Sequence, residues 1–369
     1  MTPAAPVPPA APASPASRRA DGAAAGTGDG PARVPGAAPR GRPGAGGATA
    51  GARPVSARGP LGGLRFAHLQ ALLALAVAFL CLAPFALVFA ISMGEVQPGA
   101  AWAWGLSGGN YTRFLVGLDW PDSTSFVYVR KLGWSLAYAA MGALVAVAFA
   151  FPFAWLITRR TRRTQTVWLV FLLSSLSLSE VFVVMGWDVL LSNRSGLPMV
   201  FRETGLTAWL QATGGFDALR DIGLATPRNV RFKPSVFATV LTMSYLVFPY
   251  AVILLYPALS RLDPAMMEAA RTMGARPLTV IRTVVLPACR LPILGAMLLL
   301  FVYLLGAYVA VTVFADPSRQ TLTITIYESV RGATLNAPFG AAQAMVLLVT
   351  AAAFLGASLR LARLAERRA

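Results

Sequence analysis

Few residues in this 369-residue chain are equipped for covalent chemistry. It holds one histidine, His68, two cysteines, Cys81 and Cys289, and two lysines, Lys131 and Lys233. A phosphate-cradling loop needs a lysine placed after its glycines, but Lys131 follows Arg130 and Lys233 follows Phe232. ATP hydrolysis by that route is excluded. A closed zinc site wants four ligands, so one His and two distant Cys do not make one. A Ser-His-Asp triad would depend on His68, which stands just before the first long apolar run. The residues predict no enzyme, no metal and no cofactor.

Two other constellations carry more information. The first is Leu262-Asp263-Pro264-Ala265-Met266-Met267-Glu268-Ala269-Ala270-Arg271-Thr272-Met273-Gly274. Asp263 before Pro264 is an N-cap followed by a first-turn proline, and Gly274 is placed to end the helix left-handed. Pro277 opens a second short helix running towards Leu286-Pro287. The spacing therefore predicts two short helices at an angle across a loop at 260–290. Ala265, Ala269 and Ala270 leave a thin flank that would enter a groove. Met266, Met267 and Met273 offer adaptable apolar contact, and Arg271 and Arg276 offer forked donors. The same properties also suit an amphipathic helix lying at a membrane interface.

The second constellation is polar and lies inside an apolar run. Glu180 sits in a stretch where an ionisable group is costly and turns to protein or water. At 100° per residue, Ser174, Ser177, Glu180 and Asp188 would share an arc of about 120° on one helix. Lining a solute path is one use of that stripe, its carboxylates favouring a cation; bonding to a neighbouring helix is the other. Tyr308 faces the same pair of uses. Ser177, Glu180, Asp188 and Tyr308 are the candidate path residues. Trp102, Trp104 and Trp120 suit interfacial anchoring or the docking of an external protein.

The elements that must position these groups are membrane helices. Charged residues make up 13% of the chain, about half the usual share of a soluble domain, and the mean hydropathy is +0.61. Runs at about 67–92, 132–157, 166–191, 235–259, 291–314 and 338–362 are each long enough to cross about 30 Å of hydrocarbon. They are too long and too uniformly apolar for barrel strands. The fold class expected is an all-α integral membrane protein with six transmembrane helices. Residues 1–62 contain 12 of the 27 prolines and too little apolar surface to fold, which predicts a disordered tail ahead of a membrane domain at 63–369.

Arginine placement orients the bundle. The net charge is +17 and 30 of the 32 cations are Arg. Arg159, Arg160, Arg162 and Arg163 fill the link between spans two and three. Arg261, Arg271, Arg276, Arg282 and Arg290 outnumber Asp263 and Glu268 in the link between spans four and five. By the positive-inside tendency, these links and both termini are expected in the cytoplasm. A lipid bilayer accounts for the basicity better than nucleic acid does.

The loop at 260–290 resembles a known family. Glu268-Ala269-Ala270, three residues, Gly274, nine residues and Val284-Val285-Leu286-Pro287 is similar to the EAA loop of bacterial ABC-importer permeases, with Val284 in place of the family's Ile. Ala258-Leu259-Ser260-Arg261-Leu262-Asp263-Pro264, Leu305-Gly306-Ala307-Tyr308-Val309 and Asn336-Ala337-Pro338-Phe339-Gly340-Ala341-Ala342 look like the spermidine/putrescine type. Val183 and Val184 stand where that type tends to carry a basic residue, which bears on the solute rather than on transport. The resemblance implies a type I ABC importer permease fold in the inner membrane. It also implies that Glu268, Ala269, Ala270, Arg271, Gly274, Leu286 and Pro287 form the ATPase-coupling loop. The implied partners are separate ATP-binding subunits, a second permease, homologous or identical, and an external solute-binding protein. The rival is an ion-coupled secondary transporter or channel, for which Glu180 is the one coupling candidate and inverted repeats with broken helices are not evident.

Overall fold

A computed structural model describes residues 60–97, 100–117, 121–193, 195–226, 229–332 and 335–367. The tail expected at 1–62 falls outside the described residues up to residue 59, as does Trp120.

The compact unit runs from Phe66 to the C-terminus and is helical almost throughout. The long helices are α1 (Pro60–Ser92), α3 (Val127–Thr158), α9 (Val236–Ser260) and α16 (Ala337–Arg367), with α2 (Gly109–Val116) between the first two. The run expected as span three is α4 (Arg162–Leu176) plus α5 (Glu180–Leu190). Short helices α6 (Leu197–Glu203), α7 (Leu206–Ala212) and α8 (Gly215–Asp221) fill the following loop. After α9 come α10 (Pro264–Thr272), α11 (Pro277–Val280), a π turn (Ile281–Val285), α12 (Leu286–Ala288), α13 (Arg290–Leu305), α14 (Val309–Phe314) and α15 (Leu322–Arg331). Besides one isolated bridge, the strand pairing among the described residues is a hairpin of β1 (Glu95–Gln97) and β2 (Ala100–Ala103).

Four helices are long and apolar enough to cross a bilayer, and two bent pairs bring the number to six if each pair is one span. The first bend corrects the expectation of a continuous helix at 166–191, and a break between Leu305 and Val309 corrects that of one at 291–314. Between α4 and α5 the axis turns by 94°. The cause is legible in Ser174-Ser175-Leu176-Ser177-Leu178-Ser179: serine hydroxyls compete for helical carbonyls. Ser174 Oγ donates to Val170 O at 2.8 Å and Ser177 Oγ to Ser174 O at 2.7 Å. The helix of span five stops at Leu305 and resumes at Val309, and a further 71° bend separates the 277–288 segment from α13.

The core is the contact between α3 and α9, with α13 laid against both. On α3, Ala139, Ala143, Ala146, Ala150 and Ala154 form a buried stripe opposite Met243, Val247, Ala251 and Leu255 of α9. Small residues matter here because lipid tails remove the hydrophobic drive between helices and leave close backbone approach as the source of packing energy. Gly142 marks the closest approach. A methyl group there would lie 2.8 Å from Leu304 Cδ1 and 3.5 Å from Met243 Cβ, and Ser244 Oγ donates to Gly142 O at 3.2 Å. Gly142→Leu is therefore expected to overpack the junction of three helices at a cost of about 1–3 kcal/mol, measured as a lower melting temperature of the purified protein.

By contrast, α1 leaves its side chains from Leu69 to Phe89 largely exposed, as suits a helix solvated by lipid. Its end is anchored. Ser92 Oγ lies 2.7 Å from the Tyr111 hydroxyl, and Asn110 Nδ2 donates to Ser92 O and Gly94 O at 3.0 Å each. At the other end of the chain, Asn336 Oδ1 accepts the Phe339 amide at 3.0 Å and so opens α16, with Pro338 in its first turn.

Candidate coupling loop and path

The 260–290 segment folds as its residues dictate. Asp263 Oδ1 accepts the Ala265 amide at 2.9 Å, which satisfies a donor that the first turn of α10 leaves unpaired. At the far end Gly274 takes φ +82°. There the Gly274 amide donates to Arg271 O at 2.9 Å and the Ala275 amide to Ala270 O at 3.1 Å. A glycine tolerates this left-handed position without the steric penalty of a Cβ. Pro277 then starts α11, so the chain turns a fixed corner between two short helices.

This corner has two faces. Met267 and Ala270 of α10 are buried, as are Val280, Val285 and Cys289 behind them. Ala270 and Met267 therefore pack on the protein's own bundle, which corrects the expectation that Ala270 flanks a groove-entering face. The outward face carries Ala265, Met266, Glu268, Ala269, Arg271 and Met273, with Met273 82% exposed and Leu278 on α11 66% exposed. Leu286 and Pro287 lie exposed where α12 leads into α13. Large apolar side chains thus lie outward beside charges on this corner.

The loop is tied to the link between spans two and three. The Arg159 guanidinium stacks over the Trp155 ring at 4.2 Å and contacts Met267 Sδ. Desolvation, and then the charge of Arg271, hold Arg159 below its usual pKa.

Within the bundle, Glu180 begins α5 directly after the serine-driven bend. Its Oε1 is buried with no hydrogen-bond partner, and the helix it opens packs against α14 near Ala310. The two broken spans thus meet at one carboxylate. Irregular backbone at membrane depth persists where it is buried in protein or lines a cavity. Here a cavity of about 60 Å³ is lined by Ser175, Glu180, Pro249, Tyr245, Tyr250 and Tyr303. The Tyr250 and Tyr303 rings lie 5.7 Å apart.

The bend dissolves the single-helix stripe expected of Ser174, Ser177, Glu180 and Asp188. Ser177 is exposed and its hydroxyl is spent on Ser174 O. Asp188 forms an ion pair with Lys233, whose ammonium also donates to Asp188 O at 3.0 Å. Its charge is neutralised against the segment that leads into α9. Tyr308 stands in the break before α14 with its ring 4.6 Å from that of Tyr327. Of the four candidates, Glu180 alone reaches the cavity. Ser175 and the three tyrosines are residues the periodicity argument missed, because they come from a helix end and from two other spans. Outside the bundle, Trp102 and Trp104 pack at 4.6 Å on the β1–β2 hairpin, and Trp104 is 78% exposed.

Comparison with known proteins decides the class. The family model described as the binding-protein-dependent transport system inner membrane component matches residues 166–368, which is more than half of the chain and contains both the bent span and the 260–290 corner. The chain belongs to this family. It is the permease of an ABC importer, a transport subunit rather than an enzyme, and a multi-pass membrane protein. This permease is 25% identical over 262 residues to the spermidine/putrescine transport system permease protein PotB of Escherichia coli K12, covering 70% of this chain and 84% of that one. It is 27% identical over 234 residues to a Haloferax volcanii protein named "Probable molybdenum ABC transporter permease protein", covering 63% and 76%. Among solved structures it shares its fold, at TM-score 0.56 and 15% identity over 81% of this chain and 94% of that one, with a bacterial alginate ABC transporter in complex with an alginate pentasaccharide-bound periplasmic protein.

Proposed function

We propose that this permease carries a small cationic organic solute, of polyamine kind, past Glu180, and that the α10–α11 corner takes up force from a separate ATP-binding subunit. The observation that carries the mechanical half is the corner itself: capped at Asp263, fixed at Gly274, buried on Met267 and Ala270, and apolar on its outward face. A slack tether transmits no displacement; a braced helix pair does. Glu268, Arg271 and Met273 face the partner, while Met267 and Arg159 carry the movement into the bundle. The Arg-rich link at 159–163 supports a cytoplasmic position for this end and for both termini.

The chemical half rests on Glu180. An unpaired carboxylate oxygen in a small cavity walled by tyrosines attracts an ammonium group through charge and through the ring faces. An oxyanion such as molybdate would meet repulsion at the same place. Solute would arrive from an external binding protein at the loops around the Trp102–Trp104 hairpin, and would pass between this permease and a second one. Reconstitution tests the assignment. With its partner subunits in proteoliposomes, uptake is expected only when ATP is present on the α10 side and binding protein on the other. Uptake by this chain alone, driven by an ion gradient, would instead identify a secondary transporter.

A further inference from the structure

At the Arg-rich end of the bundle a cavity of about 400 Å³ opens between α3, α4, α9 and α10, lined among others by Trp155, Arg159, Arg162, Gln165, Tyr256 and Met267. Its floor is well organised. The Tyr256 hydroxyl donates to Gln165 Oε1 at 3.0 Å, and Gln165 Nε2 donates to Thr158 O at 3.2 Å and Arg160 O at 2.8 Å. Its cations are not matched by acids. No carboxylate lines the cavity, and the one ion pair among the described residues is the remote Asp188–Lys233 pair. Arg159 has a thioether and an indole face as its neighbours. The thioether accepts from Nη2 alone, and the indole face takes none of the forked N–H donors that suit a phosphate or carboxylate. The nearby charge of Arg271 further disfavours the guanidinium as it stands.

We propose that this cavity binds a phosphate-bearing anion, supplied at this depth by the headgroup of an anionic phospholipid. Arg159 and Arg162 hold the phosphate, Thr158 and Ser260 lie within the same lining for glycerol hydroxyls, and Trp155, Leu259 and Met267 cover the apolar side. A second feature favours a lipid over a free ion. Next to Arg162 on α4, Arg163 heads an apolar groove of about 520 Å³ formed with Thr166, Val167, Val170 and Phe171, a place for an acyl chain descending from the headgroup. Basic hollows between helix ends on the cytoplasmic side are suited to such headgroups. Because Met267 of α10 forms one wall, an occupied cavity braces the corner that the proposed partner grips. That consequence rests on the coupling role of α10; the binding itself does not.

The test is native mass spectrometry and thermal melting of the full chain in nanodiscs, with phosphatidylcholine alone, with phosphatidylglycerol added, or with inorganic phosphate added to phosphatidylcholine. Wild type is expected to retain one phosphatidylglycerol more than Arg159→Gln/Arg162→Gln, and to melt about 3 °C higher with that lipid. Arg282→Gln/Arg360→Gln, which removes equal charge at exposed positions outside both the cavity and the groove, should behave as wild type. Arg159→Lys/Arg162→Lys reports whether loss follows from misfolding, since it keeps both charges and is expected to keep partial retention. Stabilisation of wild type but not of the Gln variant by phosphate alone, without a lipid effect, would support the anion site and overturn the headgroup as its source. Equal lipid retention and equal melting for wild type and the Gln variant under all three conditions would overturn the proposal. No transport step enters the assay, so failure of the coupling role would leave this outcome readable.

Discussion

Gly274→Pro is expected to lower ATP-driven uptake by more than about ten-fold while the protein still inserts and folds. Gly274 holds φ at +82°, whereas proline is locked near −65° and lacks the N–H that here donates to Arg271 O. The corner between α10 and α11 must then reopen, and the outward Met273 and Leu278 no longer face one way. The surrounding space is empty: a Cβ at Gly274 meets nothing within 4 Å. The effect of substitution is thus conformational rather than a clash, and it grades. Gly274→Asn should be mild because Asn tolerates the left-handed position, and Gly274→Ala should cost about 1–2 kcal/mol of strain. Glu268→Ala acts differently. It is exposed and should leave folding intact while weakening capture of the ATP-binding subunit. Solute uptake and co-purification of that subunit, measured side by side, separate the two effects.

Glu180→Gln is expected to reduce uptake of a cationic solute by about ten-fold or more, since a unit charge facing an ammonium in a poorly solvated cavity is worth at least ~1.4 kcal/mol. Glutamine matches glutamate in size and fits the same place where α5 packs on α14. The meeting of the two broken spans therefore survives, and only charge is lost. Assembly with partner subunits and stimulation by binding protein should remain. If the carboxylate merely packed the bundle, the amide would serve as well and uptake would be unchanged. Glu180→Asp, which retracts the charge by one methylene, is expected to fall between.

Much of this was legible in the residues, for physical reasons that differ from place to place. Asp263-Pro264 and Gly274 specify a helix start and stop by local backbone chemistry, and the structure has both where expected. The apolar runs specify helices because hydrocarbon leaves backbone groups no other partner. The bends were harder. The 166–191 run contains no proline, and its break falls in a serine-rich stretch whose hydroxyls bond helical carbonyls. The Asp188–Lys233 pair joins residues 45 positions apart, a contact made by tertiary packing alone. The tyrosines around Glu180 belong to α9 and α13, so no periodicity within α5 points to them. The inward turn of Ala270 is of the same kind: its sequence shows a small residue on a short helix, and only packing shows which side faces the bundle.

The α10 corner is expected to face the cell interior, covered by a partner that supplies force. Met273, 82% exposed at the end of α10, is the place to test it. In a Cys81→Ser background, with Cys289 shielded at 1% exposure, Met273→Cys should react with a membrane-impermeant maleimide in inside-out vesicles, remain unlabelled in intact cells, and become protected when the ATP-binding subunits are bound. Labelling from the outside of intact cells, or labelling from the inside that the bound subunits leave undiminished, would contradict the account.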